Sequence, residues 1–195
     1  MDGDLPVTTP AVRDSAVMAQ VHVRWDVKTG GDKDAGKINK DQASATTIQH
    51  LAGVQAPAAW PPPDRIAPEE TTIWRLDATL TAYKHESDGD YHLVLADGNN
   101  TMVVEIPDPT QLDPNSLFKA QIQATRSAFE AKYGKQLAAL DEMPQQAGAS
   151  APMIVQVSEP VTVTGIGFFD FAHGATGAAP NCIELHPVLS IAFKA

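Results

Sequence analysis

The sequence has a single cysteine, few basic residues and no long apolar run, and each shortage excludes a class of protein. Cys182 alone cannot form an intramolecular disulfide, which fits a reducing compartment. No apolar stretch reaches the length of about 18 residues that a membrane-spanning helix needs. Because 14 Lys and Arg stand against 24 Asp and Glu, the net charge of -10 disfavours broad nucleic-acid binding.

The first residues, MDGDLPVTTP, do not have the basic and apolar regions of a signal peptide. We therefore expect a cytoplasmic protein as the sequence is written, or an exported one if a leader was removed. Residues 1–20 are small and polar without periodicity, and we predict that they are disordered.

The chain is long enough for one domain with a hydrophobic core and an extension. We predict that the extension covers residues 21–69 and packs on a domain at 70–195. Its parts are a strand at VHVRWDV, a charged loop, a short helix over 46–51 and a proline-rich strap with Trp60 as an anchor.

The pattern after residue 70 predicts five strands and one helix. TIWRLDATLTAY, YHLVLA and TMVVEI alternate apolar and polar residues and are separated by the turns KHESDGD and DGNN. Helical spacing of apolar residues follows from 116 to 140, and PVTVTGIGFFDF and CIELHPVLSIAF are two further strands. This order is typical of a five-stranded oligonucleotide/oligosaccharide-binding (OB) barrel. An open α+β sandwich is the alternative.

Two motifs in the charged loop fail on inspection. GDKDAGK matches the spacing of a phosphate-binding loop, but Ile38 stands where Ser or Thr would hold magnesium. Read as a calcium loop from Asp32, the same stretch has Lys37 at the glycine position and Ala43 at the glutamate position.

Acids and histidines concentrate near the last two strands, at Asp170, His173, Glu184 and His186. If they converge, they could support metal-assisted or acid/base catalysis. Alternatively, Glu184 and His186 face solvent, or His186 is structural and holds the loop 172–181 against the last strand. In the expected barrel the first and third strands flank the fifth. His92 and His186 would then converge only if a loop brought a third group between them, and Asp170 and His173 could supply that group.

The second and third strands of an OB barrel usually carry its ligand. We expect His92, Val94, Val103 and Glu105 to be exposed on that face, with Tyr83 and Lys84 near by. The function predicted is therefore a noncatalytic binding module without a cofactor, for a protein or glycan ligand. The alternative is a metal-assisted hydrolase, possibly a phosphodiesterase, with a divalent metal ion at the loop between the last two strands.

The motifs WDVKTG, GDYHLVL to EIPDP, and VTGIGFFDFAHG with IELHPV resemble an uncharacterised family of bacterial proteins with D-Y-H-L-V-L and E-L-H-P-V strand motifs. The resemblance covers most of residues 23–193. It implies one shared fold and an exported location for many members. It implies no activity and no catalytic residue.

Overall fold

The computed structural model describes residues 23–141, 153–172 and 174–194. Its three helices are α1 (Trp25–Thr29), α2 (Ile48–Ala52) and α3 (Lys119–Asp141). Its strands are β1 (Ala43–Ala45), β2 (Ile73–His85), β3 (Tyr91–Asp97), β4 (Asn100–Ile106), β5 (Val155–Phe169) and β6 (Ile183–Phe193). Short 3-10 turns occupy Ala35–Lys37 and Glu69–Thr71.

The six strands form one mixed sheet in the order β1-β2-β3-β4-β6-β5. β2 also pairs with β5, so the hydrogen bonding runs in a ring. The pairs β1–β2 and β4–β6 are parallel, and the others are antiparallel. The prediction of a mainly β chain with one long helix is confirmed, whereas the barrel itself stays a prediction.

Helix α3 fills the side of the sheet that forms the main core. Phe129 lies 5.3 Å from the rings of both Tyr83 and Tyr91, and all three are buried. Tyr83 was expected near an exposed binding face, and that expectation is wrong. The register of β2 shifts between Leu80 and Ala82, which turns Tyr83 to the core side that Leu80 also faces.

The prediction of a strand at VHVRWDV is also wrong for residues 23–27, which the structure describes. Residues 25–29 form α1, preceded by Arg24 with a φ of 58° and followed by Gly30 with a φ of 71°. Arg24 binds the buried carboxylate of Glu70, so tertiary contacts override the local alternation.

Other features of the N-terminal half agree with the sequence. The predicted short helix is α2, which is capped by the Thr47 hydroxyl and ends at Gly53. Trp60 donates a hydrogen bond of 3.3 Å to the carbonyl of Phe169 and packs on Phe171. β1 was not predicted, since its three residues lie in a polar stretch.

Two predictions lie outside the described residues, namely the disorder of 1–20 and the position of His173. Within the described ranges, no helix has the length and apolar character needed to cross a membrane.

Candidate functional site

Three neighbouring strands place their polar side chains on the face of the sheet opposite the main core. His92 of β3 and Glu105 of β4 are directly paired across the strands. In β6, Glu184 and His186 flank Leu185, which faces the core. These four residues and Asp90, just before β3, form the acid–histidine cluster.

Glu105 lies between the two histidines of the cluster. Its Oε1 is 3.0 Å from Nδ1 of His92, and its Oε2 is 3.0 Å from Nδ1 of His186. Burial raises the pKa of Glu105, but the bonds from both histidines prevail and hold this pKa well below its usual range. The group that lies between His92 and His186 is therefore Glu105 of strand β4, and not a residue that a loop brings in, as was expected. Of the two strands expected beside β6, β4 is confirmed, whereas β5 and not β2 lies on the other side.

The second nitrogen of His92 fixes a loop. Nε2 lies 3.0 Å from the carbonyl oxygen of Thr176, which can only accept, so this nitrogen carries a hydrogen. Burial lowers the pKa of His92, yet the hydrogen bond and charge of Glu105 raise it above its ordinary value. Among the described residues, His92 thus contacts the loop 172–181, which is the role that was predicted for His186.

His186 and Asp90 face each other without a hydrogen bond. Nε2 of His186 is 3.5 Å from Oδ2 of Asp90, and neither atom has a hydrogen-bond partner among the described residues. Burial raises the pKa of Asp90 to about 8. The pKa of His186 is raised to about 10, because Glu105 and Glu184 outweigh burial and the charge of Lys28.

Lys28 of α1 brings a positive charge to the edge of the cluster. Its Nζ lies 3.6 Å from Oδ2 of Asp170 and 3.9 Å from Oε1 of Glu184. Burial raises the pKa of Glu184 to about 7, and the charges of Glu105 and Asp170 add to this effect. Among the predicted candidates, Asp170, Glu184 and His186 therefore lie close together, and His173 is outside the described residues.

The expected exposure of this face is wrong. Glu184 and His186 are buried, as are His92 and Glu105 on the predicted binding face. Val94 and Val103 are buried as well. Gly177 shows how closely the loop covers the strands, since a Cβ at this position would lie 2.4 Å from Cγ1 of Val94.

Lys84 is partly buried and forms an ion pair of 2.6 Å with Glu86. Sequence reasoning missed Lys28 and Asp90 as members of the site. Asp90 was explained as a turn residue, and no pattern around Lys28 indicates that its side chain is buried.

A cavity of about 270 Å³ lies beside the cluster, between the loop that precedes β6 and strands β4 and β6. Val103 and Ile183 contribute apolar surface, and Phe171 contributes an aromatic ring. The carboxylates of Asp170 and Glu184 also line it. The arrangement can therefore accept a small ligand with an apolar face and hydrogen-bond donors.

Within the described part of the chain, two sets of three residues could hold a metal ion, with ligand atoms within 4.8 Å of one another. They are Glu86, His92 and Glu105, and Asp90, Glu105 and His186.

No family model and no curated protein matches the chain. Among solved structures, the chain is similar to one named "putative aspartyl-tRNA synthetase" from Leishmania major Friedlin, with 14% identity and a TM-score of 0.40. The match covers 80% of this chain and 21% of that one, so the chain spans about a fifth of that protein's length. This similarity assigns neither a fold family nor a function, and the likeness to a bacterial family stays a prediction.

Proposed function

We propose that this chain is a noncatalytic binding module with an OB-like barrel, and that it binds a small carbohydrate group in the cavity beside the acid–histidine cluster. The strand ring supports the fold. The five long strands lie in the order β2-β3-β4-β6-β5, and β5 pairs with β2 to close the ring. Helix α3 lies between β4 and β5 in the sequence. The ring of hydrogen-bonded strands and a helix between the third and fourth of them support an OB-like barrel, a fold whose members include oligosaccharide-binding domains.

The observation that carries the proposal is the lining of the cavity. At about 270 Å³, it lies just below the range of about 300–1,000 Å³ that holds drug-sized ligands, which favours a single sugar unit. The ring of Phe171 offers an apolar face, and Asp170 and Glu184 offer acceptors for hydroxyl groups. Acidic walls disfavour a phosphate-bearing ligand.

The alternative, a metal-assisted hydrolase with its metal ion at the loop between the last two strands, has less support. Lys28 lies beside both Asp170 and Glu184, and its ammonium group would repel a metal ion bound between them. A binding module is therefore the better interpretation of these residues.

The single cysteine provides the test, because Cys182 lines the same cavity. The rate of its alkylation by iodoacetamide is measured with and without cellotriose, maltotriose or chitotriose. We expect at least one of these sugars to slow alkylation, and Phe171→Ala to remove the protection. Leu117→Ala is the control, since Leu117 is an exposed apolar residue away from the cavity. Absence of protection by every sugar, or salt-sensitive binding of single-stranded DNA, would contradict the proposal.

A further inference from the structure

The buried contact between Asp90 and His186 lacks the hydrogen bond that its chemistry calls for. Both residues have 0% exposure, and Oδ2 and Nε2 face each other without any hydrogen-bond partner in the described part of the chain. Buried polar atoms nearly always have a partner, so two orphan atoms side by side indicate that a group belongs between them.

We propose that Asp90, Glu105 and His186 bind one divalent transition-metal ion of the zinc class. One ligand atom from each residue lies within 4.8 Å of the other two. The separation of 3.5 Å between Nε2 of His186 and Oδ2 of Asp90 is close to the edge of a tetrahedral zinc site. Ligands about 2.0–2.1 Å from such a metal lie about 3.4 Å apart.

The surroundings of His186 support this assignment. Its Nδ1 lies 3.0 Å from Oε2 of Glu105 and 3.2 Å from Oε1 of Glu184. A histidine that binds a metal through one nitrogen usually donates the other N–H to a carboxylate, which fixes the ring. Glu184 is positioned to accept that hydrogen while Glu105 turns toward the ion.

The second set of candidate ligands is less suited to a metal. Lys84 already binds Glu86, and both ring nitrogens of His92 have partners in Glu105 and Thr176. We therefore expect one ion per chain rather than two.

The burial of the site defines the role of the ion. All three ligands are at most 7% exposed, so the fourth position of a tetrahedral ion would hold an enclosed water molecule and not a substrate. The ligands come from β4, β6 and the residue just before β3, so the ion would link three neighbouring strands. This inference does not rest on the sugar-binding proposal, because its ligands are not among the residues that line the cavity.

Metal content is the first test. The protein is stripped with a chelator, incubated with zinc chloride, passed through a desalting column and analysed by mass spectrometry. We expect roughly one zinc per chain, and a melting temperature that rises with zinc concentration. Cobalt chloride in place of zinc should give the visible absorption bands of a four-coordinate nitrogen- and oxygen-ligated ion.

Two ligand variants and two controls locate the ion. Asp90→Asn and His186→Gln should weaken zinc binding more than about 10–100-fold, beyond the usual effect of a residue that only orients a ligand. Asp97→Asn and His50→Gln should bind as the unchanged protein does, since both residues are exposed and outside the site. Less than about a tenth of an ion per chain, or equal binding by both ligand variants, would overturn the proposal. If a variant fails to fold, the cobalt spectrum of the unchanged protein tests the proposal instead. If the visible bands of a four-coordinate cobalt ion are absent from that spectrum, the proposal is wrong.

Discussion

Arg24 and Glu70 form a two-point ion pair that joins the start of α1 to the turn before β2. Nη1 of Arg24 is 2.8 Å from Oε1 of Glu70, and Nη2 is 2.7 Å from Oε2. The carboxylate also accepts from the backbone N–H groups of Ile66 and Phe169. Glu70 therefore connects the N-terminal segment to the end of β5.

Arg24→Ala should destabilise the protein by about 3–5 kcal/mol, because it leaves the carboxylate of Glu70 buried without its charged partner. Urea unfolding measures the change. The control is Arg75→Ala, which removes an exposed arginine 3.5 Å from Asp77 and should cost about 0–1 kcal/mol. Equal effects of the two changes would contradict the role of the buried pair.

Alanine substitutions at Gly30 and Gly98 distinguish the cost of a steric clash from the cost of a left-handed backbone. Both have a positive φ, but a Cβ at Gly30 would lie 2.4 Å from a ring carbon of Phe118, whereas a Cβ at Gly98 would meet nothing within 4 Å. Gly98→Ala should therefore cost about 1–2 kcal/mol from the left-handed backbone alone.

Gly30→Ala should cost about 1–3 kcal/mol more than that, because Phe118 must also move. Thermal unfolding of the two variants makes the comparison. A smaller loss for Gly30→Ala than for Gly98→Ala would show that the ring of Phe118 does not pack against this glycine.

The thiol of Cys182 should respond slowly to alkylating reagents. Burial raises its pKa, and the nearby charges of Asp170 and Glu184 raise it further. A raised pKa reduces the thiolate fraction at a given pH, and the thiolate is the reactive form. The rate of alkylation by iodoacetamide should thus reach half its maximum at a higher pH than for the unfolded chain in urea.

Asp170→Asn should move that midpoint to lower pH, because it removes one of the negative charges. Asp97→Asn is the matched control and should leave the midpoint unchanged. A profile for the folded protein that coincides with that of the unfolded chain would mean that Cys182 does not sense the cavity carboxylates.

His92→Gln should loosen the loop before β6. The change removes the ring whose Nε2 contacts the carbonyl of Thr176. Hydrogen exchange followed by mass spectrometry should show faster exchange in the peptide 174–181, while the peptides of α3 keep their protection. His50→Gln should change neither region. Unchanged exchange at 174–181 in His92→Gln would mean that other contacts hold the loop.

The central strands could be predicted because their signals are local. β2, β3 and β4 alternate in sequence and are joined by turns that contain Asp-Gly, and α3 repeats its apolar residues with helical spacing. The inward turn of Tyr83 could not be predicted in the same way. It depends on a shift in the register of β2, and no sequence pattern marked that shift.

The site was harder to predict because its residues come from separate parts of the chain. His92, Glu105 and His186 were singled out individually, but their meeting depends on β4 lying beside both β3 and β6. The sequence order of the strands does not define that arrangement. Lys28 joins the site only because α1 is a helix where the alternation of residues predicted a strand.

The most direct measurement of the central claim is a titration of the isotopically labelled protein with cellotriose, maltotriose and chitotriose, followed by backbone amide NMR. If the cavity is the binding site, one sugar should shift the signals of residues around it, such as Val103, Phe171 and Ile183. The signals of α2 and of the exposed end of β3 should stay in place. If no sugar shifts any signal, or if the shifts lie on another surface, the account of this chain as a carbohydrate-binding module is wrong.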